Sequence, residues 1–288
     1  MADAQGQSMH GVMGRSLPTY SVLMPLAPWE AAAVLEQALA SLEAQTLPPA
    51  QVVVSCDGPP PAPLRTPLEN ATLPLQIVVG PGAEGVGPVL ARGLLQCRQE
   101  LVVRADADDL SLPERCAMQV GWMARHPAVL VLGCPIEEFR ASAERPVSRR
   151  LVPLDPGEIG RVALVRNPLN HPAVILRREA VLAVGNYRAR PGFEDYDLWL
   201  RLLAVHGSGA LANLPEVLVR ARVGDAHLAR RHGWRYAQAE LRFFLSCGRE
   251  RLLPWHRVIA ALAARLPLRL LPAGLLARVM GRVTRTPS

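Results

Sequence analysis

Leu101-Val102-Val103-Arg104-Ala105-Asp106-Ala107-Asp108-Asp109 is the stretch from which the fold can be worked out. An apolar run ends in an Asp-x-Asp pair, Asp106 and Asp108, with Asp109 beside it. Leu101–Ala105 reads as a buried strand, so the carboxylates stand at its carboxyl end. In an open α/β sheet that edge is where ligands bind. Carboxylates there hold a hard divalent cation, which in turn holds phosphate oxygens. One aspartate could simply cap the next turn. Three in four positions repel one another unless a cation or a basic group neutralises them.

Working toward the N-terminus, Leu75–Val79, Gln51–Ser55 and Tyr20–Leu26 read as three further strands. Helices are expected between them: Glu30–Gln45, with Ala33, Val34, Ala38 and Leu42 at helical spacing, and residues 88–98 after the glycine loop Gly80–Gly87. Residues 59–67 are proline-rich and read as a loop. Toward the C-terminus, Pro113 opens a helix to about His126, at a first-turn position where its missing N–H costs nothing. Val129–Gly133 is a fifth strand. This alternation predicts an α/β fold with a Rossmann-like, mostly parallel sheet flanked by helices. Further on, Ala173–Leu176 reads as a strand and residues 194–206 as a helix with Leu198, Leu202 and Val205 on one face. From residue 234 the chain turns helical and basic, with Pro254, Pro267 and Pro272 cutting it. The expected organisation is a loose leader over 1–18, a catalytic domain over 19–233 and a basic amphipathic helical tail over 234–288.

Composition narrows the chemistry. The 288 residues contain no lysine, so all 32 basic residues are arginine. That excludes a Schiff-base lysine and a P-loop lysine, and it counts against phosphatases that pair an Asp-x-Asp with a lysine. Five cysteines without C-x-x-C spacing indicate neither a disulfide framework nor a zinc knuckle, and a reducing cytosol fits them. No signal peptide opens the chain and no run of about 18 apolar residues offers a spanning helix. Charge is divided unevenly. Residues 230–288 hold twelve arginines and two acids, while residues 1–229 carry a net −3. A nucleic-acid binder would be basic over its fold, with aromatics to stack on bases, so no nucleic-acid partner is expected.

Other residues join the Asp-x-Asp as candidates. Asp57 ends the second strand before Gly58, either as a turn aspartate or as a carboxylate facing a base or ribose. Gly80–Gly87 matches neither G-x-x-x-x-G-K-[ST] nor G-x-G-x-x-G. Glu194 and Asp195 begin a helix, where acids suit the macrodipole and where a carboxylate can also deprotonate an alcohol. Asp197 competes for that role, but its position turns it about 160° away. His171, between Asn170 and Pro172, is either structural or a contact to phosphate or metal.

Taken in order, Ser21-Val22-Leu23-Met24-Pro25, Ser41–Thr46, Asp57-Gly58, Gly85-x-Gly87, Arg104–Asp109, Pro113-Glu114-Arg115, Asn170-His171-Pro172 and Glu194–Arg201 resemble the family 2 glycosyltransferases, especially the amylovoran type of bacterial exopolysaccharide biosynthesis. Asn213–Leu218, Arg222-Val223-Gly224 and Arg230–Trp234 extend the resemblance, which spans about residues 20–245. It implies a GT-A fold and inverting transfer from a nucleotide-diphosphate sugar, usually a UDP-sugar. It further implies Mn²⁺ or Mg²⁺ on Asp108, Asp57 on the nucleotide base and Asp106 on the ribose or diphosphate; beside these, His171 is expected as a second metal contact, and Pro25, Arg104 and Glu194 as further donor contacts. Asp195 would be the general base.

Three positions depart from the family pattern. Ala27-Pro28-Trp29 replaces the polar pair after the first strand, Cys56 replaces an acid before Asp57, and Glu84 replaces an asparagine in the glycine loop. All three fall where the resemblance implies the nucleotide pocket. The basic tail, with Arg278, Arg282 and Arg285 on one helical face, is either a helical extension packed on the catalytic domain or a surface for an anionic membrane, which would suit a lipid-linked saccharide acceptor. The expected location is therefore cytoplasmic, peripheral at the inner face of the cell membrane. The competing readings are a sugar nucleotidyltransferase, whose Arg- and Lys-bearing loop after the first strand is missing here, and a non-catalytic nucleotide-sugar-binding module.

Overall fold

In the computed structural model, residues 17–224 and 233–269 are described. Successive residues of a strand point to opposite faces, and the first strand shows what that does here. In β1 (Tyr20–Leu26), Val22 and Met24 enter one apolar cluster while Leu23 enters another on the opposite face. Val52 and Val54 of β2 (Gln51–Cys56) go with the first cluster and Val53 with the second. Strands buried on both faces read as continuous apolar runs, which is why Val-Val-Val could be recognised as a strand.

The seven-stranded sheet runs β10-β6-β9-β4-β1-β2-β3. Its other members are β3 (Leu75–Val79), β4 (Leu101–Arg104), β6 (Val131–Gly133), β9 (Ile175–Arg177) and β10 (Leu211–Asn213). β1 pairs in parallel with β2 and β4, as do β2 with β3 and β6 with β10. β9 lies antiparallel between β4 and β6. The sheet is mostly parallel, as expected, with one reversed strand. A 3-10 turn, His171–Ala173, leads into β9, so the strand expected from Ala173 begins later.

Helices α1 (Ala32–Glu43), α3 (Val86–Gln96) and α4 (Arg115–Arg125) cover the sheet. The buried stripe of α1 is Leu35, Ala38, Leu39 and Leu42; Ala33 and Val34 fall outside it. The proline-rich segment is also not a loop. It forms α2 (Ala62–Asn70), with Pro67 inside and Leu64 and Leu68 buried one turn apart. Proline in a helix interior loses one backbone bond, and burial of the two leucines outweighs that local cost.

A second sheet of four short strands, β5-β11-β7-β8, stands past the end of β4. It comprises β5 (Leu110–Ser111), β7 (Ile136–Phe139), β8 (Ser148–Arg150) and β11 (Val219–Arg222). The remaining helices are α5 (Pro156–Ala163), α6 (Arg178–Ala183), α7 (Glu194–His206), α8 (Trp234–Arg249) and α9 (Trp255–Arg269). α7 is buried almost all round from Tyr196 to Leu202, whereas Val205, expected on its apolar face, is 66% exposed. α8 brings Phe243, Phe244 and Cys247 into one cluster with Phe193, Tyr196 and Leu200. The first half of the basic tail thus packs on the α7 region. α9 continues through Pro267, which does not cut it. Arg278, Arg282 and Arg285 lie outside the described residues, as do residues 1–16 of the leader and Arg230-Arg231-His232. All five cysteines are buried and unpaired.

Candidate active site

β1, β2 and β4 all point their carboxyl ends at one edge of the large sheet. β4 ends at Arg104, and the turn after it brings Asp106, Asp108 and Asp109 together. One ligand atom from each lies within 4.8 Å of the others. Two ties fix this turn. The Asp109 carboxylate accepts from the Arg222 amide at 2.8 Å, joining the turn to β11. Arg115, 1% exposed in α4, donates to the carbonyls of Arg104 (2.6 Å) and Pro172 (3.0 Å). Sequence reading took Arg115 and Arg222 only as parts of motifs and missed these roles.

The electrostatics of the cluster suit a cation. Burial, then the Asp106 and Glu30 charges, push the Asp108 carboxyl up to about 7. Asp109 is also raised well above the carboxylate range, by burial first and then by Asp106 and Asp108. Like charges held this close favour protonation or a bound cation. Oxygen donors alone form the set, which is the chemistry that Mg²⁺ and Mn²⁺ select. The residues present fit a divalent ion.

His171 is not part of that set. It is 8% exposed, its Nε2 is 3.2 Å from the Tyr187 hydroxyl, and Trp199 meets its ring edge-on. Burial, and then the Arg104 charge, hold its imidazole well below its ordinary range, so it is neutral. The structure thus takes His171, expected as a metal contact, into a buried aromatic group beside the cluster.

Arg104 is the residue on which the two halves of the site converge. Its buried guanidinium forms an ion pair with Asp106, and its Nε has no hydrogen-bond partner among the described residues. Its charge also acts on Tyr187, Asp109, His171 and Glu194. Glu194, at the start of α7, is pushed up to about 7 by burial and then by Asp195. The Asp195 carboxylate is half-buried, with Asn167 donating to Oδ2 at 2.5 Å and the Tyr196 amide to Oδ1 at 2.7 Å. Asn167 gave no signal in the sequence. Asp197 is fully buried and paired with Arg201 (2.8 Å) and Arg190 (3.4 Å), so it is turned inward and Asp195 is the exposed member of the two.

On the β2 side, both carboxylate oxygens of Asp57 accept from the glycine loop, from the amides of Glu84 (3.0 Å) and Gly85 (3.2 Å). Gly58 has φ +92° and an ideal Cβ there would meet Gly82 Cα at 3.3 Å. Asp57 thus sets the loop that begins α3, and Glu84 is paired with Arg92. Gly87, in the first turn of α3, lies against the segment before α7: a Cβ there would sit 2.2 Å from the Arg188 carbonyl oxygen and 3.5 Å from Glu194 Cβ. Only glycine permits that approach. Pro25, half-buried, lies beside Ser55 at the end of β1, on the same edge. The structure therefore places Pro25, Asp57, Arg104, Asp106, Asp108, Glu194 and Asp195 around one edge, with Trp29 exposed at its rim.

Comparison with known proteins identifies the family and the fold. The profile described as Glycosyl transferase family 2 matches residues 21–184. The chain is 36% identical over 227 residues to the amylovoran biosynthesis glycosyltransferase AmsE of Erwinia amylovora, covering 78% of this chain and 84% of that protein. It is 29% identical over 277 residues, 95% of this chain and 99% of the relative, to an Escherichia coli UDP-Gal:alpha-D-GlcNAc-diphosphoundecaprenol beta-1,3-galactosyltransferase. Among solved structures, the mannosyltransferase PcManGT of Pyrobaculum calidifontis, in complex with GDP-Man and Mn²⁺, superposes with a TM-score of 0.62 at 19% identity, over 93% of this chain and 76% of that one. Staphylococcus aureus TarS 1-349 with UDP-GlcNAc gives 0.61 at 15% identity, over 85% of this chain and 71% of that one. These likenesses show a shared GT-A architecture. On the sequence match and the fold together, the chain is a glycosyltransferase and belongs to family 2.

Proposed function

We propose that this glycosyltransferase moves a sugar, with inversion, from a UDP-sugar to a saccharide carried on a membrane lipid, in the assembly of a bacterial surface polysaccharide. The observation that carries the reading is the meeting of two acidic groups at one sheet edge: the Asp106–Asp109 turn and Glu194-Asp195, with Arg104 acting on both. Asp108, with Asp106 beside it, would hold Mn²⁺ or Mg²⁺, which when bound neutralises charge developing on the departing diphosphate. Pro25 and the Asp57-anchored loop would flank the nucleotide. Asp195 would accept the proton of the acceptor hydroxyl as its oxygen bonds to the anomeric carbon and the bond from that carbon to the diphosphate breaks. Attack from the face opposite the leaving group inverts the centre, and one base suffices for it. Glu194, close to protonation at neutral pH, would donate to donor oxygens. The polysaccharide role and the lipid-linked acceptor rest on the names of the amylovoran and diphosphoundecaprenol relatives.

A screen of nucleotide-sugars tests this. UDP-galactose, UDP-glucose and UDP-N-acetylglucosamine should each be compared with GDP-mannose for Mn²⁺-dependent thermal stabilisation and hydrolysis. UDP compounds should stabilise the protein in the presence of metal. Stabilisation by none of them, or equal stabilisation without metal, would refute the donor assignment.

Attachment at the inner membrane face belongs to the same proposal. No helix among the described residues is long and apolar enough to cross a membrane. At the α8–α9 elbow, Trp255 and Ile259 are 49% and 64% exposed, with Arg249, Arg251 and Arg257 around them. Apolar groups ringed by arginines suit an anionic bilayer surface. Sedimentation with phosphatidylglycerol vesicles should be weakened by combined Trp255→Ser and Ile259→Ser, and binding equal to that of the unaltered chain would exclude this surface.

A further inference from the structure

The segment between α6 and α7 carries no obvious chemistry, yet it is held from both sides. From within, Arg201 donates to the carbonyls of Val184 and Asn186 and pairs with Asp197, which also meets Arg190. From the C-terminal hairpin, Glu250 takes two arginines at once: Arg188 at 2.6 Å through Oε2 and Arg190 at 2.5 Å through Oε1. Phe193, the residue before α7, stacks on Phe243 of α8 with ring centroids 4.6 Å apart, and Tyr236 leans on it from 5.5 Å. The backbone of Arg188 has a third neighbour. Its carbonyl oxygen is the atom that a Cβ at Gly87 would strike, so it abuts the first turn of α3. One residue, Arg188, therefore touches the glycine-loop helix through its backbone and the C-terminal hairpin through its side chain.

We infer that Glu250 is a positioning residue: by holding Arg188 and Arg190 it fixes Glu194 and Asp195 at the start of α7 against the first turn of α3. The hairpin α8–α9 is then part of the frame of the active site as well as a cover for its aromatic core. The pairs are too exposed to matter much for stability. Glu250 and Arg188 have 33% and 38% of their side-chain surface in water, and pairs of that kind contribute little to folding. Their effect is on geometry, to which catalysis is far more sensitive. The inference rests on Asp195 being the base.

The test compares Glu250→Gln, Glu250→Asp and Arg188→Met with the unaltered full chain. UDP release from the three UDP-sugars above gives kcat and KM, calorimetry with UDP and Mn²⁺ gives donor affinity, and amide hydrogen exchange reports on residues 186–197. Glu250→Gln and Arg188→Met should lower kcat about tenfold, leave UDP affinity within about twofold, speed exchange over 186–197 and move the melting temperature by less than about 4 °C. Glu250→Asp, which keeps the charge, should fall between. Retention of kcat in Glu250→Gln overturns the inference, whatever the exchange pattern. So does a loss of kcat matched by equal losses of UDP affinity and thermal stability, which would mark general loosening. Normal transfer by Asp195→Asn would instead sink the base assignment, while an inactive Asp195→Asn with a fully active Glu250→Gln would sink only the positioning role.

Discussion

Asp195→Asn is expected to bind UDP with Mn²⁺ as the unaltered protein does and to lose transfer by about 10²–10⁴-fold, the usual contribution of a positioned base. The substitution keeps the size and planarity of the side chain. One amide oxygen can still accept from Tyr196 or Asn167, so the start of α7 should stay in place. What disappears is the ability to take a proton. Glu194 is the natural competitor, being adjacent and half-buried. Its carboxyl is pushed up to about 7 by burial first and by Asp195 second. At pH 7 it is therefore only partly ionised, and less so at lower pH. Glu194→Gln should accordingly raise KM for donor more than it lowers kcat. Calorimetry and single-turnover transfer, run on both variants, separate the roles. Transfer that survives in Asp195→Asn but vanishes in Glu194→Gln would exchange the two assignments. Asp197 offers a control for folding, since it is fully buried and its removal would leave the Arg201 guanidinium without a carboxylate, a change that costs about 3–5 kcal/mol.

Much of this site could be read from sequence because the fold concentrates it at strand ends. β1, β2 and β4 are buried runs, and their carboxyl termini fall where apolar residues give way to Pro25, Asp57 and Asp106. The residues that hold the site were not legible for a physical reason. Asn167 and Asp195 are 28 positions apart, Arg222 and Asp109 are 113 apart, and Glu250 and Arg188 are 62 apart. No periodicity links such partners, because only tertiary packing brings them together. The second sheet escaped for another reason. Its strands are two to four residues long, too short for alternation to show. α2 was misread because its prolines mark a turn by composition, whereas the buried pair Leu64 and Leu68 decides otherwise. His171 illustrates what only spatial neighbours can show. Its neighbours in sequence matched the family pattern, and its neighbours in space, Tyr187 and Trp199, gave it a buried place outside the acidic cluster.

Asp108→Ala is expected to abolish metal-dependent binding of UDP. Of the three clustered aspartates it is the one least committed elsewhere: Asp106 pairs with Arg104, and Asp109 accepts the Arg222 amide. Removing it takes away the carboxylate best placed to bind a cation, while the turn itself keeps both ties. Fold and melting temperature should hold in the metal-free protein, because the substitution relieves repulsion among the three carboxylates. The sign of the pH effect follows from the direction of the shift. In the metal-free fold Asp108 keeps its proton up to about 7, whereas an unfolded chain would release it near 3.8. Proton uptake thus favours the folded state at low pH, and that contribution is lost as pH rises through about 7. A cation must displace the same proton, so Mn²⁺ should bind more weakly at pH 6 than at pH 8 and raise the melting temperature more at pH 8. Asp108→Ala should lose both the stabilisation and its pH dependence. Calorimetry of UDP into Mn²⁺-loaded protein at the two pH values is the measurement. Undiminished, metal-dependent UDP affinity in Asp108→Ala would show that Asp108 does not hold the cation, and the bridge would have to be sought elsewhere than on this carboxylate.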